Sequence, residues 1–313
     1  MSNPWTIQSG KICVLGSLNV DLTVTLERFH QPGETITGKD FHTFTGGKGG
    51  NQAVAAAKLG MDTLMIGCVG ADDNGRMYKR VLGDLKVDTQ AVEETDEAPT
   101  GVALIEVDEK GENRIAVVPG ANALLTCDLV SRHQDKLMAC DVCLMQLESP
   151  VESVNHAAAL LRRAGKKVIL DPAPARPLSD ALLFLCDIVT PNETELEILT
   201  GMSGQTEEQA IEAAASLLKR GVGDVVLKRG AKGAIWVSRQ GARVIPGFKV
   251  EAVDTTAAGD SFNAGLAAGL VMGFAMEDAV RLANAVGALS TTAAGAQAAM
   301  PSMERALALV EGA

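Results

Sequence analysis

Residues 11–29 read KICVLGSLNVDLTVTLERF, and their hydrophobic pattern changes halfway along. The first part, 11–18, is an almost continuous apolar run, which is typical of a strand buried on both faces of a parallel sheet. The second part, 20–29, alternates apolar and polar residues, which predicts a strand with one exposed face. The chain is therefore expected to pass from a buried core sheet into a second, smaller sheet.

Apolar runs of the first kind recur along the chain and alternate with helical patterns such as 51–60, 152–165 and 206–221. Buried strands separated by helices predict an α/β fold, in which a Rossmann-like parallel sheet carries helices on both faces. The other candidate strands of this core are 63–70, 141–148, 167–173, 187–192 and 224–230.

Residues 100–120, TGVALIEVDEKGENRIAVVPG, predict a hairpin, because two apolar runs flank the polar turn DEKGEN. Together with 20–29, this hairpin predicts a small β-sheet lid whose strands come from about 18–45 and 98–120. The lid is expected to cover a site or to form a dimer surface. The whole chain, 1–313, is expected to be a single domain.

Acidic residues outnumber basic ones by 39 to 28, which gives a formal net charge of −11. This balance argues against a general nucleic-acid binder, which would present a basic face. No signal peptide or membrane span is expected, because 1–11 lacks a basic region before an apolar core and no apolar run reaches about 18 residues. The six cysteines are expected to be free thiols, since the Cys140 and Cys143 pair has no partners for a zinc site. We therefore expect a cytoplasmic protein.

The segment 253–260, VDTTAAGD, precedes an apolar stretch that predicts a helix beginning near Ala258. The first turn of a helix has unpaired N–H groups and a partial positive charge. Because Ala257, Ala258 and Gly259 are small, a phosphate is expected to reach those N–H groups. Asp260 would then lie beside the phosphate and accept a proton from a hydroxyl nucleophile. The alternative is that Asp260 only caps the helix.

Two glycine- and amide-containing segments near the N-terminus are further candidates. The segment 45–60, TGGKGGNQAVAAAKLG, places glycines around Lys48 and an Asn51 at the head of a helix, which indicates either a binding loop or a flexible, Asn-capped turn. It is not a Walker phosphate-binding loop. Asn19 and Asp21 follow the first strand, at the sheet edge where ligands bind, and suit sugar hydroxyls. A turn-forming role is the alternative for this pair.

Other strand ends carry polar groups towards the same edge of the sheet. Glu148 and Asp171 each lie at the end of a candidate strand, and the segment 191–201 contains Asn192 and Glu195 near its start. The segment 227–233, LKRGAKG, is a strand that runs into a glycine-bounded turn. Its backbone N–H groups are expected to meet a nucleotide.

These motifs together resemble the PfkB family of carbohydrate kinases and, within it, the ribokinase branch. The two most specific segments are the Gly-Gly-Lys-Gly of 45–60 and the Asp-Thr-x-x-x-Gly-Asp that ends at Asp260. The resemblance extends in order over nearly the whole chain, through VLGSLNVD, PGET, GVALI, GEN, PGAN, LMQLESP, PAPAR and PNETE. It implies a kinase that phosphorylates the 5-hydroxyl of ribose from ATP and forms a homodimer through its lid.

The resemblance also implies roles for individual residues. The sugar would be held by Asn19, Asp21, Gly47, Lys48, Gly49, Asn51 and Glu148, with Asp260 as catalytic base that also touches the sugar. The anion hole would consist of Ala257, Ala258 and Gly259. ATP would lie along Asn192, Lys228, Arg229, Gly230, Ala231, Lys232, Gly233, Gly259 and Asn284, while Glu195 would organise Mg²⁺. A K⁺ ion would be held, mostly by backbone carbonyls, at Asp254, Thr256, Ser290, Ala293, Gly295 and Ala299.

Three residues depart from the family pattern. Lys228 replaces a smaller hydroxyl residue, Asn284 replaces a His found in some relatives, and Ala299 replaces a Ser. The alternatives to a ribose kinase are a deoxyribokinase or another PfkB sugar kinase, and, from a different class, a catalytically silent sensor of sugar or nucleotide. Because Asp260 and its small neighbours are all present, the sequence favours a kinase over a sensor.

Overall fold

The computed structural model describes residues 10–312, so the segment 1–9, for which no signal peptide was expected, lies outside the described residues. The strands are β1 (Lys11–Leu15), β2 (Asn19–Thr25), β3 (Asp40–Gly46), β4 (Asp62–Gly70), β5 (Val87–Thr95), β6 (Gly101–Val107), β7 (Asn113–Val118), β8 (Val142–Met145), β9 (Lys167–Leu170), β10 (Ile188–Val189), β11 (Asp224–Lys228), β12 (Ala234–Ser238) and β13 (Gly241–Ile245). The α-helices are α1 (Lys48–Lys58), α2 (Asp73–Asp84), α3 (Cys127–Arg132), α4 (Gln134–Met138), α5 (Val151–Arg163), α6 (Asp180–Leu185), α7 (Glu193–Thr200), α8 (Glu207–Lys219), α9 (Ala258–Val271), α10 (Met276–Ser290) and α11 (Met303–Glu311).

Nine strands form the core sheet in the order β13-β12-β11-β10-β9-β8-β1-β4-β5. Seven neighbouring strands are parallel, namely β11, β10, β9, β8, β1, β4 and β5. Strands β12 and β13 extend the β11 edge as an antiparallel hairpin. Successive residues of β1 belong to opposite apolar layers: Ile12 and Val14 pack on one face, and Cys13 and Leu15 on the other. The predicted α/β core with both faces covered is confirmed.

Three strands of the core sheet, β5, β12 and β13, were not predicted. Strand β5 contains Asp88, Gln90 and two glutamates, so it lacks the continuous apolar run that marks the central strands. Strand β13 is largely exposed at the sheet edge. Edge strands need less apolar sequence than central ones, which is why the pattern did not reveal β5 and β13. Strand β12 lies inside the edge and has the apolar run AIWV, so its sequence did carry a signal that was missed.

A separate four-stranded sheet has the order β3-β2-β6-β7. Strand β2 follows β1 after three residues and pairs antiparallel with β3 and parallel with β6, while β6 and β7 form the predicted hairpin. Because paired residues share a face, Ile115 and Val117 lie on the same side of this sheet as Asp21. We call these four strands the lid sheet. The change of pattern within 11–29 therefore marks the passage from one sheet to the other.

The six cysteines are all unpaired, and five of them are buried. Within residues 10–312, no helix is both long enough and apolar enough to cross a membrane.

Helices α9 and α10 pack closely because small residues line their contact. A β-carbon at Gly265 would lie 2.9 Å from the Cα of Ala283 and 3.0 Å from the Cβ of Val286. The small-residue run after Asp260 thus lets α9 approach its neighbour, and this fixes the position of the N-terminal end of α9.

We expect the substitution Gly265→Ala to lower the free energy of unfolding by about 1–3 kcal/mol, because the added methyl group forces the two helices apart. The matched control is Gly83→Ala, since Gly83 is also helical but exposed, with open space around its Cα. Alanine's higher helix propensity should make the control variant neutral or up to about 1 kcal/mol more stable. Urea denaturation of both variants measures the difference, and equal stabilities would contradict the close packing.

Candidate active site

Asp260 lies in the first turn of α9 and is almost fully buried, with 5% of its surface exposed. Its carboxylate accepts hydrogen bonds from two side chains of α1: Asn51 Nδ2 donates to Oδ2 and Gln52 Nε2 to Oδ1, both at 3.1 Å. The N-cap of α9 is Ala257, and no side chain caps that end. The interpretation of Asp260 as only a helix cap is therefore wrong.

The charge environment of Asp260 tunes its acidity. Burial raises its pKa from 3.8 to about 6, and the carboxylate of Asp171 adds to the rise, while the Lys48 ammonium and the amides of Asn51 and Gln52 oppose it. A carboxylate with a pKa near 6 is mostly ionised at pH 7 and is still basic enough to accept a proton. Asp260 therefore has the properties of a general base.

The backbone before Asp260 forms a cradle of N–H groups. Ala257 has a left-handed conformation, with φ 59° and ψ 15°, which is uncommon for a residue with a side chain. No described residue accepts a hydrogen bond from the N–H groups of Ala257 or Gly259, whereas that of Ala258 donates to the Thr255 carbonyl at 3.2 Å. The start of α9 thus offers hydrogen-bond donors to an anion, as the sequence predicted, although the N–H group of Ala258 is already bonded to a carbonyl.

A cavity of about 620 Å³ opens onto Asp260 and this cradle. It is lined by groups of both charges, together with the glycine-bounded turn after β11. The predicted site residues that line it are Lys48, Asn192, Glu195, Lys228, Gly230, Ala231, Gly233, Ala257, Ala258, Gly259, Asp260 and Asn284. The catalytic candidates and most of the nucleotide-binding candidates therefore share one cavity.

Lys228 lies between the turn after β11 and the cradle. Its Nζ donates to Asp171 Oδ1 at 2.7 Å, and only 12% of the Lys228 side chain and 2% of the Asp171 side chain are exposed. A β-carbon at Gly259 would lie 3.6 Å from the same Nζ. The ammonium that departs from the family pattern is thus placed beside the cradle, where it can neutralise a phosphate.

Asn192 and Glu195 form a capping box at the start of α7. Asn192 Oδ1 accepts from the Glu195 N–H at 2.8 Å, and the Glu195 carboxylate accepts from the Asn192 N–H at 2.7 Å. Burial raises the pKa of Glu195, Asp171 raises it further, and Lys228 opposes both. These two residues line the cavity, and the helix cap orients them.

Not every nucleotide candidate lines the cavity. Arg229 forms ion pairs with Glu193 at 3.3 Å and Glu207 at 3.2 Å instead. Lys232 is exposed and likewise does not line it. Asn284 does line it, and its Nδ2 donates to the carbonyls of Ile245 and Pro246, both at 3.2 Å. The turn after β11 therefore contributes its backbone and small residues rather than its charged side chains.

The sugar candidates lie at the junction of β1, β2 and α1. Glu148 accepts hydrogen bonds from Ser17 Oγ at 2.5 Å and from the Lys48 N–H at 3.0 Å. Burial raises the pKa of Asp21 from 3.8 to about 7, and Glu148 adds to this rise. The two carboxylates are therefore close enough to repel each other, and such a pair suits a ligand rich in hydroxyl donors.

Glycines allow this junction to close. Gly47 has a positive φ of 79°, and a β-carbon there would lie 2.7 Å from the backbone N of Asn19. A β-carbon at Gly46 would overlap the carboxylate of Asp21, and one at Gly49 would lie 2.6 Å from the Gly16 backbone. The glycines around Lys48 thus bring α1 against the strand ends, instead of forming a flexible loop.

Lys48 connects the two halves of the site. Burial lowers its pKa, but the carboxylates of Asp260, Asp171, Glu148 and Glu195 together raise the pKa above the ordinary value. Its side chain therefore stays charged, and it balances the acids on both the sugar side and the nucleotide side.

The candidate K⁺ residues come from two adjacent loops. The Asp254 carboxylate accepts from the N–H groups of Thr256 at 2.9 Å and Gly295 at 3.0 Å, and the Asp254 N–H donates to the Thr291 carbonyl at 3.1 Å. Ser290 Oγ donates to the Gly287 carbonyl at 2.8 Å. The structure thus brings Asp254 and Thr256 to the loop after α10, which also contains Ala293, Gly295 and Ala299. Across residues 10–312, no group of three or more His, Cys, Asp or Glu side chains could hold a metal ion.

Sequence reasoning missed several buried amides. Asn122 Nδ2 donates to Asn19 Oδ1 at 2.7 Å, and Gln297 Nε2 donates to Asn51 Oδ1 at 3.1 Å. Gln52 contacts Asp260 directly. Gln52 is adjacent to Asn51 in a segment already singled out, and Asn122 ends the PGAN motif, so their positions in those motifs were the available signal.

Comparison with known proteins agrees with this geometry. The profile of the pfkB family carbohydrate kinases matches residues 9–303. A ribokinase of Haemophilus influenzae is 42% identical over 301 residues, which are 96% of this chain and 98% of that protein. A deoxyribokinase of Salmonella typhi is 39% identical over 295 residues, 94% of this chain and 96% of that protein. The structure of Arabidopsis thaliana ribokinase complexed with ribose and ATP is similar, with a TM-score of 0.93 and 34% identity, over 97% of this chain and 99% of that one.

The raised pKa of Asp21 predicts a pH-dependent cost in stability. Between pH 3.8 and about pH 7, Asp21 is protonated in the folded state and ionised in the unfolded state. Its contribution therefore lowers the free energy of unfolding of the ligand-free protein increasingly as the pH rises through this range. Asp21→Asn should therefore raise the free energy of unfolding by about 1 kcal/mol or more at pH 8, and by much less near pH 4. Urea denaturation at both pH values measures this, with Asp96→Asn at an exposed acid as control. If the gain in the free energy of unfolding did not grow with pH, the pKa of Asp21 would not be raised in the folded protein.

Proposed function

The chain belongs to the pfkB family of carbohydrate kinases, and we propose that it transfers the terminal phosphoryl group of ATP to the 5-hydroxyl of ribose, giving ribose 5-phosphate and ADP. The observation that carries this proposal is the buried Asp260 carboxylate beside the N–H cradle of Ala257 and Gly259, at the end of one cavity. The similarity to ribokinases, including one whose structure contains ribose and ATP, supports ribose as the sugar.

Asp260 acts as the catalytic base in this proposal. With a pKa of about 6, it is ionised at pH 7.5 and accepts the proton of the 5-hydroxyl as that oxygen attacks phosphorus. Phosphoryl transfer depends mainly on positioning and charge neutralisation. The N–H groups of Ala257 and Gly259 and the ammonium of Lys228 supply that neutralisation at the phosphate, and the N–H of Ala258 joins them when it leaves the Thr255 carbonyl.

Ribose lies between the strand ends and the lid sheet. Glu148 and Asp21 accept hydrogen bonds from its hydroxyl groups, and Asn19 and Asn51 add amides. Gly47 and Gly49 bring the start of α1 against the strand ends of this proposed sugar site, and Lys48 adds a positive charge among its acids. The proposed set for the sugar is Asn19, Asp21, Gly47, Lys48, Gly49, Asn51, Glu148 and Asp260.

ATP occupies the rest of the cavity. Asn192, Asn284, Gly230, Ala231 and Gly233 line that part of it. Arg229 is held in ion pairs with Glu193 and Glu207, and Lys232 does not line the cavity, so only their backbone groups are proposed to contribute.

Two ions complete the proposal. Glu195 is a buried carboxylate that lines the cavity, and carboxylate oxygens are ligands that Mg²⁺ accepts, so the site suits Mg²⁺ held through water. Mg²⁺ neutralises the phosphates of ATP. The loops of Asp254 and Gly295 suit K⁺, because their side chains form no acidic cluster, and the oxygen donors available there are mostly carbonyls. The proposed K⁺ residues are Asp254, Thr256, Ser290, Ala293, Gly295 and Ala299.

Ribose is favoured over 2-deoxyribose because the Haemophilus influenzae ribokinase is more similar to this chain than the Salmonella typhi deoxyribokinase is. A cytoplasmic location is proposed as well, since ATP is the phosphoryl donor and six unpaired cysteines suit a reducing compartment.

We also propose that the lid sheet forms a homodimer. It exposes large apolar side chains on both faces: Phe44, Ile115 and Val117 on the face of Asp21, and Phe41, Leu104 and Val118 on the opposite face. Exposed apolar clusters of this kind mark interaction surfaces. Ile115 and Val117 share the face of Asp21, so a second copy seated there would also cover the sugar.

A coupled assay of ADP release over a panel of sugars, with ATP, Mg²⁺ and K⁺, tests the function. We expect kcat/KM to be highest for ribose and lower for 2-deoxyribose, and the rate to fall when K⁺ is left out. Asp260→Asn should keep the fold and lose at least about 100-fold in kcat, because a general base contributes about 10²–10⁴. Asp96→Asn is the control.

Three results of this assay would count against the proposal. Absence of sugar-dependent ADP release would favour the silent sensor, and a higher kcat/KM for 2-deoxyribose would favour the deoxyribokinase. An unchanged kcat in Asp260→Asn would show that Asp260 is not the catalytic base. In a further arm, Lys228→Met should raise the KM for ATP or lower kcat, whereas wild-type values would exclude Lys228 from the phosphate site.

Sedimentation tests the dimer. We expect a particle of twice 32.6 kDa for the wild type and of 32.6 kDa for the double substitution Ile115→Glu and Val117→Glu, because two charges cannot be buried in the apolar contact. Ala116→Glu, which adds a charge to the same exposed strand on the opposite face, should leave the dimer intact. A wild-type monomer at micromolar concentration would overturn the proposal.

A further inference from the structure

Gln52 is a fully buried residue of α1 that lies behind Asp260 and does not line the cavity. Its Nε2 donates to two carboxylates that come from different elements: Asp260 Oδ1 at 3.1 Å and Asp171 Oδ2 at 3.2 Å. A side-chain amide nitrogen has two hydrogens, so both are used. Gln52 thus joins the proposed base to the acid that pairs with Lys228.

The direction of the Gln52 amide is fixed. Its Oε1 accepts from Gln146 Nε2 at 2.6 Å. If the amide turned over, its oxygen would face two carboxylates and its nitrogen would face the Gln146 donor, and buried groups of like polarity are costly to place together. Gln146 is held in turn by close packing, since a β-carbon at Gly16 would overlap its Oε1.

Each oxygen of Asp260 is therefore held by one amide, and each of these amides is oriented by another. Asn51 donates to Oδ2 and accepts from Gln297, while Gln52 donates to Oδ1 and accepts from Gln146. Asn51 belongs to the proposed sugar site, but Gln52 touches neither the cavity nor any ligand position. Its contacts have one evident consequence, which is to fix the Asp260 carboxylate.

We propose that Gln52 is a positioning residue, which holds the Asp260 carboxylate in the orientation needed to accept the sugar proton and keeps it in register with the Asp171–Lys228 ion pair. This inference rests on the proposed function, because it takes Asp260 as the base. A carboxylate held at both oxygens by rigid donors cannot rotate between turnovers, and such preorganisation is where much of the catalytic effect of a site arises.

Several charged groups face Asp260 and set the direction of the expected effect. Lys48 of α1 lowers its pKa, Asp171 raises it, and Lys228 offsets part of the Asp171 charge. The amide of Gln52 lowers the pKa by stabilising the ionised form. Removal of this donor leaves the other groups in place, so the pKa of Asp260 must rise.

The test is Gln52→Met, which keeps the length of the side chain and removes both donors. The pKa of the Asp260 carboxyl is measured in the ligand-free protein by ¹³C NMR, with Asp260→Asn to assign the signal. We expect a rise of roughly one pH unit, as for the loss of one hydrogen bond to a carboxylate. In the kinase assay, the acidic limb of the kcat profile should move upwards by the same amount, with kcat partly recovered at high pH.

A purely structural role gives a different result. It would lower stability and activity at all pH values and leave both the Asp260 pKa and the acidic limb where they are in the wild type, and that result overturns the proposal. If thermal melting shows that Gln52→Met is unfolded, Gln52→Asn is measured in its place, because its shorter side chain keeps an amide but no longer reaches Asp260. Gln134→Met, at an exposed glutamine, should change neither value.

The two proposals fail separately in this design. The NMR titration uses no sugar, so it tests Gln52 even if the wild type releases no ADP with ribose. Conversely, a wild type that phosphorylates ribose while Gln52→Met leaves the Asp260 pKa unchanged would uphold the kinase and overturn the positioning role.

Discussion

A carboxylate buried in a protein interior is costly unless donors and opposite charges surround it. Asp260 is buried in the first turn of α9, and the elements around it supply those donors and charges. Helix α1 brings Asn51 and Gln52 to its two oxygens, and Lys48 at the start of the same helix adds a positive charge. The glycines before α1 and the small residues of α9 are needed because both helices must approach this point closely.

The same site places two lysines among four acidic side chains. Asp171, Glu195 and Asp260 line the cavity, Glu148 lies at the strand ends of the proposed sugar site, and all four raise the pKa of Lys48. Lys228 pairs with Asp171 and faces the cradle at Gly259. Such a site can receive the triphosphate of ATP and a neutral sugar, because positive charge and N–H donors lie on one side and hydrogen-bond acceptors on the other.

The sequence predicted the parts of this arrangement that are local. The alternation of apolar runs and helical patterns fixed the α/β class, and the small residues before Asp260 correctly placed the start of α9 at Ala258. The roles assigned to the site residues remain predictions, although most of those residues meet at one cavity or at the adjoining strand ends. Long-range contacts could not be predicted: Gln52 and Asp260 are 208 residues apart, and the motif around Gln52 does not reveal which distant side chain its amide meets. The ion pairs of Arg229 with Glu193 and Glu207 could not be predicted either, because they depend on where α7 and α8 lie.

The most direct measurement is a crystal structure with ribose and a non-hydrolysable ATP analogue bound together. The terminal phosphate should accept hydrogen bonds from the N–H groups at Ala257–Gly259, with the Lys228 ammonium beside it. The 5-hydroxyl of ribose should lie within hydrogen-bond distance of the Asp260 carboxylate and in line with the phosphorus. A structure in which either ligand binds away from the start of α9 would contradict the role of the buried carboxylate.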